Sequence, residues 1–160
     1  MFAGVIEGDT PKIYFADSQE FIESLNYILS RYLEKIIKNI VILSCKTQSE
    51  SVIFKYLNDE DLYQFRNRII FFSTCRKFKG LEADVVILID VGKSTFLNDG
   101  KLFYVGASRA RLFLDVIINM TDEDCSEVLT AYNDTRRSKN IKKTFAAAIN
   151  AGYEKIKYKI

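Results

Sequence analysis

The chain has 160 residues, 48% of them apolar and 28% charged, with a formal net charge of +2 and no histidine. That size and apolar fraction suit one domain with a real core and exclude a disordered chain, while the missing histidine removes Ser-His and Cys-His nucleophiles, histidine bases and histidine metal sites together. No apolar run approaches the roughly 20 residues that cross a bilayer, and the opening Met1-Phe2-Ala3-Gly4 has neither a basic start nor a long apolar stretch, so a cytoplasmic protein is expected.

Residues 12–16, after Pro11, read as a short strand in which Ile13 and Phe15 alternate with Tyr14. Ser18 is a candidate N-cap for an amphipathic helix, because Phe21, Ile22, Leu25, Ile28, Leu29, Leu33, Ile36 and Ile37 recur at helical spacing. Residues 40–44 form a continuous apolar strand, and 49–57 are expected to be helical behind it. Residues 69–73 and 85–89 are further apolar runs rich in β-branched or aromatic residues, as in strands covered on both faces of a parallel sheet. A helix over about 101–110 then leads into a last strand, 112–119. Thr121 or Asp122 can cap a helix reaching about Tyr132, and 141–151 suggests one more. Strands alternating with helices predict an α/β layer fold, and the absence of repeats, low-complexity segments or a Pro/Gly-rich linker predicts a single domain over 1–160. From Arg136 to Lys159 the chain is basic, carrying Arg136, Arg137, Lys139, Lys142, Lys143, Lys155, Lys157 and Lys159 against Glu154, and is read as a helical tail over about 136–160. Such a tail fits contact with nucleic acid or a plain solvated helix face.

Ligands in open α/β sheets gather at the carboxyl ends of the strands, so the loops at 45–48, 74–82 and 91–99 are the expected rim. Between Thr74 and Glu82 a strand end is followed by Arg76, Lys77 and Lys79, then Gly80, then a carboxylate at the mouth of the next strand. Basic groups suit phosphate, Gly80 permits a left-handed backbone and close approach to a ligand, and Glu82 can accept from a sugar hydroxyl. The same pattern fits a basic surface loop with a turn glycine. Downstream, Leu102 to Ala110 combines apolar and small residues with Arg109 and Arg111 at its end. A rigidly held arginine there suits the charge on a transferring phosphoryl group, although pairing with Asp84 or Asp90 is the commoner fate of such a residue. The triplet Gly92-Lys93-Ser94 is no P-loop, because the required first Gly is replaced by Ile87. Cys45, Cys75 and Cys125 are far apart and form no CxxC, so they indicate neither a disulfide framework nor zinc, and Cys45 and Cys75 read as core-edge residues.

Two of these segments carry a specific likeness. Phe78-Lys79-Gly80-Leu81-Glu82 before the strand from Asp84 resembles motif V of the UvrD/Rep-like superfamily 1 helicases, and Tyr104-Val105-Gly106-Ala107-Ser108-Arg109-Ala110 resembles their motif VI, Y-V-A/G-x-T/S-R-A. They occur in the family's order, and 40–57 is more weakly similar to the region of motif IV. The resemblance implies a three-layer, RecA-like, mostly parallel sheet with helices on both faces, serving as the second motor domain of an ATP-dependent DNA helicase or translocase. It would close over ATP and Mg2+ held mainly by a first RecA-like domain. In that reading Arg109 reaches the γ-phosphate, Gly80 and Glu82 lie beside the nucleotide with Glu82 on the ribose, and Thr74, Arg76 and Lys79 face single-stranded DNA. Arg76 stands where motif V often has His, and Cys45 where motif IV has an arginine, with Lys46 adjacent. The chain has no Walker A segment and no DExx acid pair, so alone it is expected not to hydrolyse ATP. The alternative of a different kind is a stand-alone, non-catalytic nucleic-acid-binding module.

Overall fold

The computed structural model describes residues 10–149 except 36 and 38, together with 152–154. Eight strands form one sheet: β1 (Lys12–Phe15), β2 (Ile40–Ser44), β3 (Leu57–Asn58), β4 (Leu62–Phe65), β5 (Arg68–Thr74), β6 (Ala83–Gly92), β7 (Ala110–Asn119) and β8 (Gly152–Glu154). Their spatial order is β3-β4-β5-β2-β6-β7-β1-β8. From β5 to β8 every pairing is parallel, whereas β3 and β4 extend the sheet as an antiparallel meander.

The alternation of side chains along the central strands divides the core into two layers. Val41, Leu43, Val86, Leu88, Leu114 and Val116 point to one face, where they pack against α2 (Lys93–Asn98), α3 (Gly100–Ala107), α4 (Asp122–Ala131) and α5 (Ile141–Ala148). Ile42, Val85, Ile87 and Ile117 point to the other, under Phe21, Leu25, Ile28, Leu29 and Tyr32 of α1 (Phe21–Glu34). Helices therefore cover both faces, which is why β2 is apolar at nearly every position and buried throughout. None of the described helices is long and apolar enough to cross a membrane.

Several boundaries differ from the sequence reading for local reasons. The helix expected over 49–57 is replaced by two single 3-10 turns, Gln48–Glu50 and Phe54–Tyr56, followed by β3. The β3–β4 reversal then uses positive φ at Asp59 and Glu60, 47° and 69°. Ser18 does not cap α1: Asp17 Oδ1 accepts from the amides of Gln19 and Glu20 in the turn that opens it. Residues 93–98, expected in a loop, are α2, and the helix before β7 ends at Ala107. Thr121 does cap α4, through a reciprocal capping box with Asp124. The basic tail is not helical throughout, since 134–138 form no helix or strand, α5 covers only Ile141–Ala148, and Gly152–Glu154 pairs with β1 as an edge strand.

The connection from β5 to β6 decides where the chemistry-bearing residues stand. Thr74 pairs with Ser44 at the carboxyl end of β2, while Ala83 pairs with Ala110 at the amino end of β7. Residues 75–82 therefore run the full height of the sheet, pinned to it by buried Cys75 and Phe78.

Candidate nucleotide and nucleic-acid faces

Because of that crossing, the residues singled out by sequence divide between opposite ends of the sheet. Only Thr74 and Arg76 belong to the carboxyl-end rim. Gly80 and Glu82 arrive at the amino end, beside Arg109, whose carbonyl accepts from the Ala83 amide at 2.9 Å. The expectation that the whole 74–82 loop lines the carboxyl rim is thus corrected by the geometry of a parallel crossover, which must return the chain to the start of the next strand.

At the amino end, Gly80 has φ +83° with open space where a Cβ would stand, so backbone conformation and not crowding calls for glycine. Arg109 is half-buried, and its Nε donates to the Val105 carbonyl at 3.0 Å, which fixes the base of the guanidinium against α3. Among the described residues it forms no ion pair. Arg111, two residues on, takes the fate considered for both arginines: its Nε and one terminal nitrogen donate to Asp84 Oδ1 at 3.0 and 2.5 Å. Glu82 is exposed beside Arg109, and Leu81 and Leu112 leave about half their surface, 55% and 49%, in solvent at the same end. Gly106 lets α3 sit directly on the sheet, since a Cβ there would stand 2.7 Å from both Cys75 Sγ and a Leu88 methyl. That contact sets the height from which Arg109 emerges.

The carboxyl end is more self-contained. Thr74 is buried, and its Oγ1 and carbonyl accept from the amides of Lys77 and Phe78 at 3.2 and 3.0 Å, so it caps the turn that starts the crossing. Arg76 is largely exposed and pairs with Asp99 at 3.0 Å. Lys79 is exposed as the crossing segment nears the amino end, which separates it from Thr74 and Arg76. Cys45 is half-buried with its sulfur 3.9 Å from that of Cys75, and the Lys46 amide donates to Ser44 Oγ. A cavity of about 310 Å³ opens beyond it, lined by Asp17, Lys46, Glu50, Asp90, Ser94 and Asn119 among others.

Asp90, read from sequence only as a possible partner for an arginine, has another role. It holds a left-handed backbone, φ 60°, and its carboxylate accepts from the Ser44 hydroxyl, the Ser51 hydroxyl at 2.5 Å and the Val52 amide at 3.0 Å. No local pattern marks it, because its donors lie 38–46 positions away. Lys93 of the Gly-Lys-Ser triplet pairs with Glu127 and Asp124 at 3.1 and 3.7 Å, tying α2 to α4, which accords with its rejection as a P-loop lysine. The basic tail is partly neutralised from within: Arg136 pairs with Asp134, Lys142 with Asp122, and Arg137 donates to Thr130. Lys155, Lys157 and Lys159 lie outside the described residues. Among the described residues no group of three or more Cys, Asp or Glu is arranged to hold a metal ion.

Residues 70–117 match the sequence model of the UvrD-like helicase C-terminal domain. This span runs from β5 through the crossing segment, β6 and α3 into β7, and so contains both ends just described. Among solved structures the fold is similar to the C-terminal domain of a possible DNA helicase from Lactobacillus plantarun WCFS1, with TM-score 0.50 and 20% identity over 71% of this chain and 76% of that one. No curated protein sequence matches the chain. The likeness to the UvrD-like helicase C-terminal domain thus rests on residues 70–117, and the wider fold is similar to that of a possible DNA helicase's C-terminal domain.

Proposed function

We propose that the chain is the second, RecA-like motor domain of an ATP-dependent DNA helicase or translocase, acting on ATP held mainly by a first RecA-like domain. The observation that carries this reading is the amino-end cluster, where an arginine without an ion pair among the described residues stands beside an exposed carboxylate and a left-handed glycine. Arg109 suits a γ-phosphate, Glu82 the ribose hydroxyls, and Gly80 close backbone approach to the nucleotide. The metal and most phosphate contacts are assigned to the first domain. Exposed Leu81 and Leu112 supply apolar surface for that partner at the same end. Bound ATP supplies the phosphoryl group whose hydrolysis drives the cycle. This chain positions Arg109 when the two domains close and withdraws it when they part, and unequal grip on the strand in the two states gives translocation.

Arg109→Ala in the complete two-domain protein is expected to lower ATP turnover by about a thousandfold, whereas Arg111→Ala, removing an arginine already paired with Asp84, is expected to lower it far less. Equal turnover in wild type and Arg109→Ala would remove the assignment.

The opposite end supports the second reading, a stand-alone binding module. Arg76, Lys77 and the more distant Lys79 are exposed, while buried Thr74 serves as a cap and its side chain does not face solvent. That module predicts salt-dependent binding of a labelled single-stranded oligonucleotide by the isolated chain, weakened by Arg76→Ala or Lys79→Ala. The motor-domain reading predicts weak binding until the first domain and a nonhydrolysable ATP analogue are added.

A further inference from the structure

Two of the three cysteines meet in space although thirty positions separate them. Cys45 follows β2 and Cys75 follows β5, and these strands are parallel neighbours whose last register pair is Ser44 with Thr74. The Cys75 amide donates to the Ser44 carbonyl at 2.9 Å, closing that last pair, so each cysteine is the first residue beyond its strand. Both side chains turn to the face covered by α3, and their sulfurs stand 3.9 Å apart. Adjacent strands lie about 5 Å apart, a spacing compatible with the Cα separation of a disulfide, and with the sulfurs 3.9 Å apart a side-chain rotation is the movement left to close the bond. Cys75 is fully buried, but Cys45 is only half-buried and offers the point of entry.

We propose that Cys45 and Cys75 form a reversible disulfide under peroxide, a modification site that locks the crossing segment to the end of β2. Peroxide oxidises the Cys45 thiol to a sulfenic acid and releases one water. The Cys75 thiol then attacks that sulfur, the S–O bond breaks, and the hydroxyl leaves with the thiol proton as a second water. The two thiols together lose two electrons and two protons, and the peroxide is fully reduced. Contact with Cys75 and burial hold the Cys45 thiol well above its ordinary pKa, so the pair stays reduced at low oxidant and reacts faster as pH rises. The bond would draw the Cys75 sulfur away from Gly106, the contact on which α3 rests, and so reaches the helix that carries Arg109. This proposal rests on the sulfur geometry and is independent of the motor-domain reading.

The test treats the full chain with hydrogen peroxide, alkylates the remaining thiols and digests with trypsin. Cleavage after Lys38, Lys46, Arg68 and Arg76 isolates the two cysteines on peptides 39–46 and 69–76. Expected are loss of two of the three alkylatable thiols, joined peptides 39–46 and 69–76, recovery with dithiothreitol, and a higher melting temperature for the oxidised chain. Cys45→Ser abolishes the link and Cys125→Ser leaves it intact. Cys45→Ser suffices should Cys75→Ser, deep in the core, fail to fold. Three alkylatable thiols in the folded, peroxide-treated chain would overturn the proposal, as would sulfinic acid at Cys45 without a link, or pairing through Cys125.

Discussion

The two ends of the sheet handle polar side chains in opposite ways. At the carboxyl end Asp90 receives three hydrogen bonds, Thr74 caps a turn, and Arg76 has a carboxylate within 3.0 Å. At the amino end Arg109, Glu82 and Gly80 stand together, and among the described residues the Arg109 side chain has only a backbone carbonyl for a partner. Satisfied polar groups hold a fold in place, whereas a fixed charge without a counter-ion is a binding capacity still to be used. In the proposed motor-domain reading the difference assigns structural work to one end and external work to the other, although sequence places Thr74 to Glu82 in one short segment.

Arg109→Ala should cost about a thousandfold in turnover of the complete protein while changing the unfolding midpoint of this chain little, because it removes one hydrogen bond to a carbonyl already within a helix. Asp90→Ala should do the reverse. It strands the Ser44 and Ser51 hydroxyls and the Val52 amide, and it places a β-carbon residue without a local acceptor at φ 60°, for a loss of about 3 kcal/mol in urea unfolding. Asp90→Asn keeps one acceptor and tolerates the left-handed backbone, so it should lose roughly half as much. If Asp90→Ala unfolds at the wild-type urea concentration, the carboxyl end is not the structural one.

How much of this was legible in sequence depends on which forces are local. The strands β2, β6 and β7 were readable because both faces are covered, and continuous apolar runs have no other use in a chain of this size. The β3–β4 hairpin was not, since its strands are short and half-exposed, and its turn uses Asp59 and Glu60 at positive φ without glycine. Gly80, Glu82 and Arg109 were singled out through their likeness to motifs, and the structure brings them to the same end of the sheet. Their separation from Thr74 and Arg76 was not legible, because the direction of a crossing depends on strand order, which no window of sequence contains. The approach of Cys45 to Cys75 and the donors around Asp90 are tertiary in the same sense.

Between the two ends lies a third case, a buried carboxyl held by tyrosine hydroxyls. Asp115, in the middle of β7, is 1% exposed beneath α1. Tyr32 donates to its Oδ1 at 2.5 Å, the Tyr14 hydroxyl also faces it, Arg31 donates to that Tyr14 hydroxyl at 2.6 Å, and the charges of Arg31 and Lys12 act on it as well. Burial pushes the carboxyl above its ordinary value of 3.8, against the opposing effect of both hydroxyls and both cations. A carboxyl raised in the folded state binds its proton more tightly there than in the unfolded chain. Its contribution to stability is therefore complete below the unfolded value and declines as pH rises from there through the native one. Asp115→Asn keeps an acceptor for Tyr32 but cannot ionise, so it should gain on wild type as pH rises above the ordinary carboxyl value in urea unfolding, the smallest of the three effects. A constant difference between the two proteins above that value would show that Asp115 carries its charge without cost, and would place it with Asp90 among the satisfied groups.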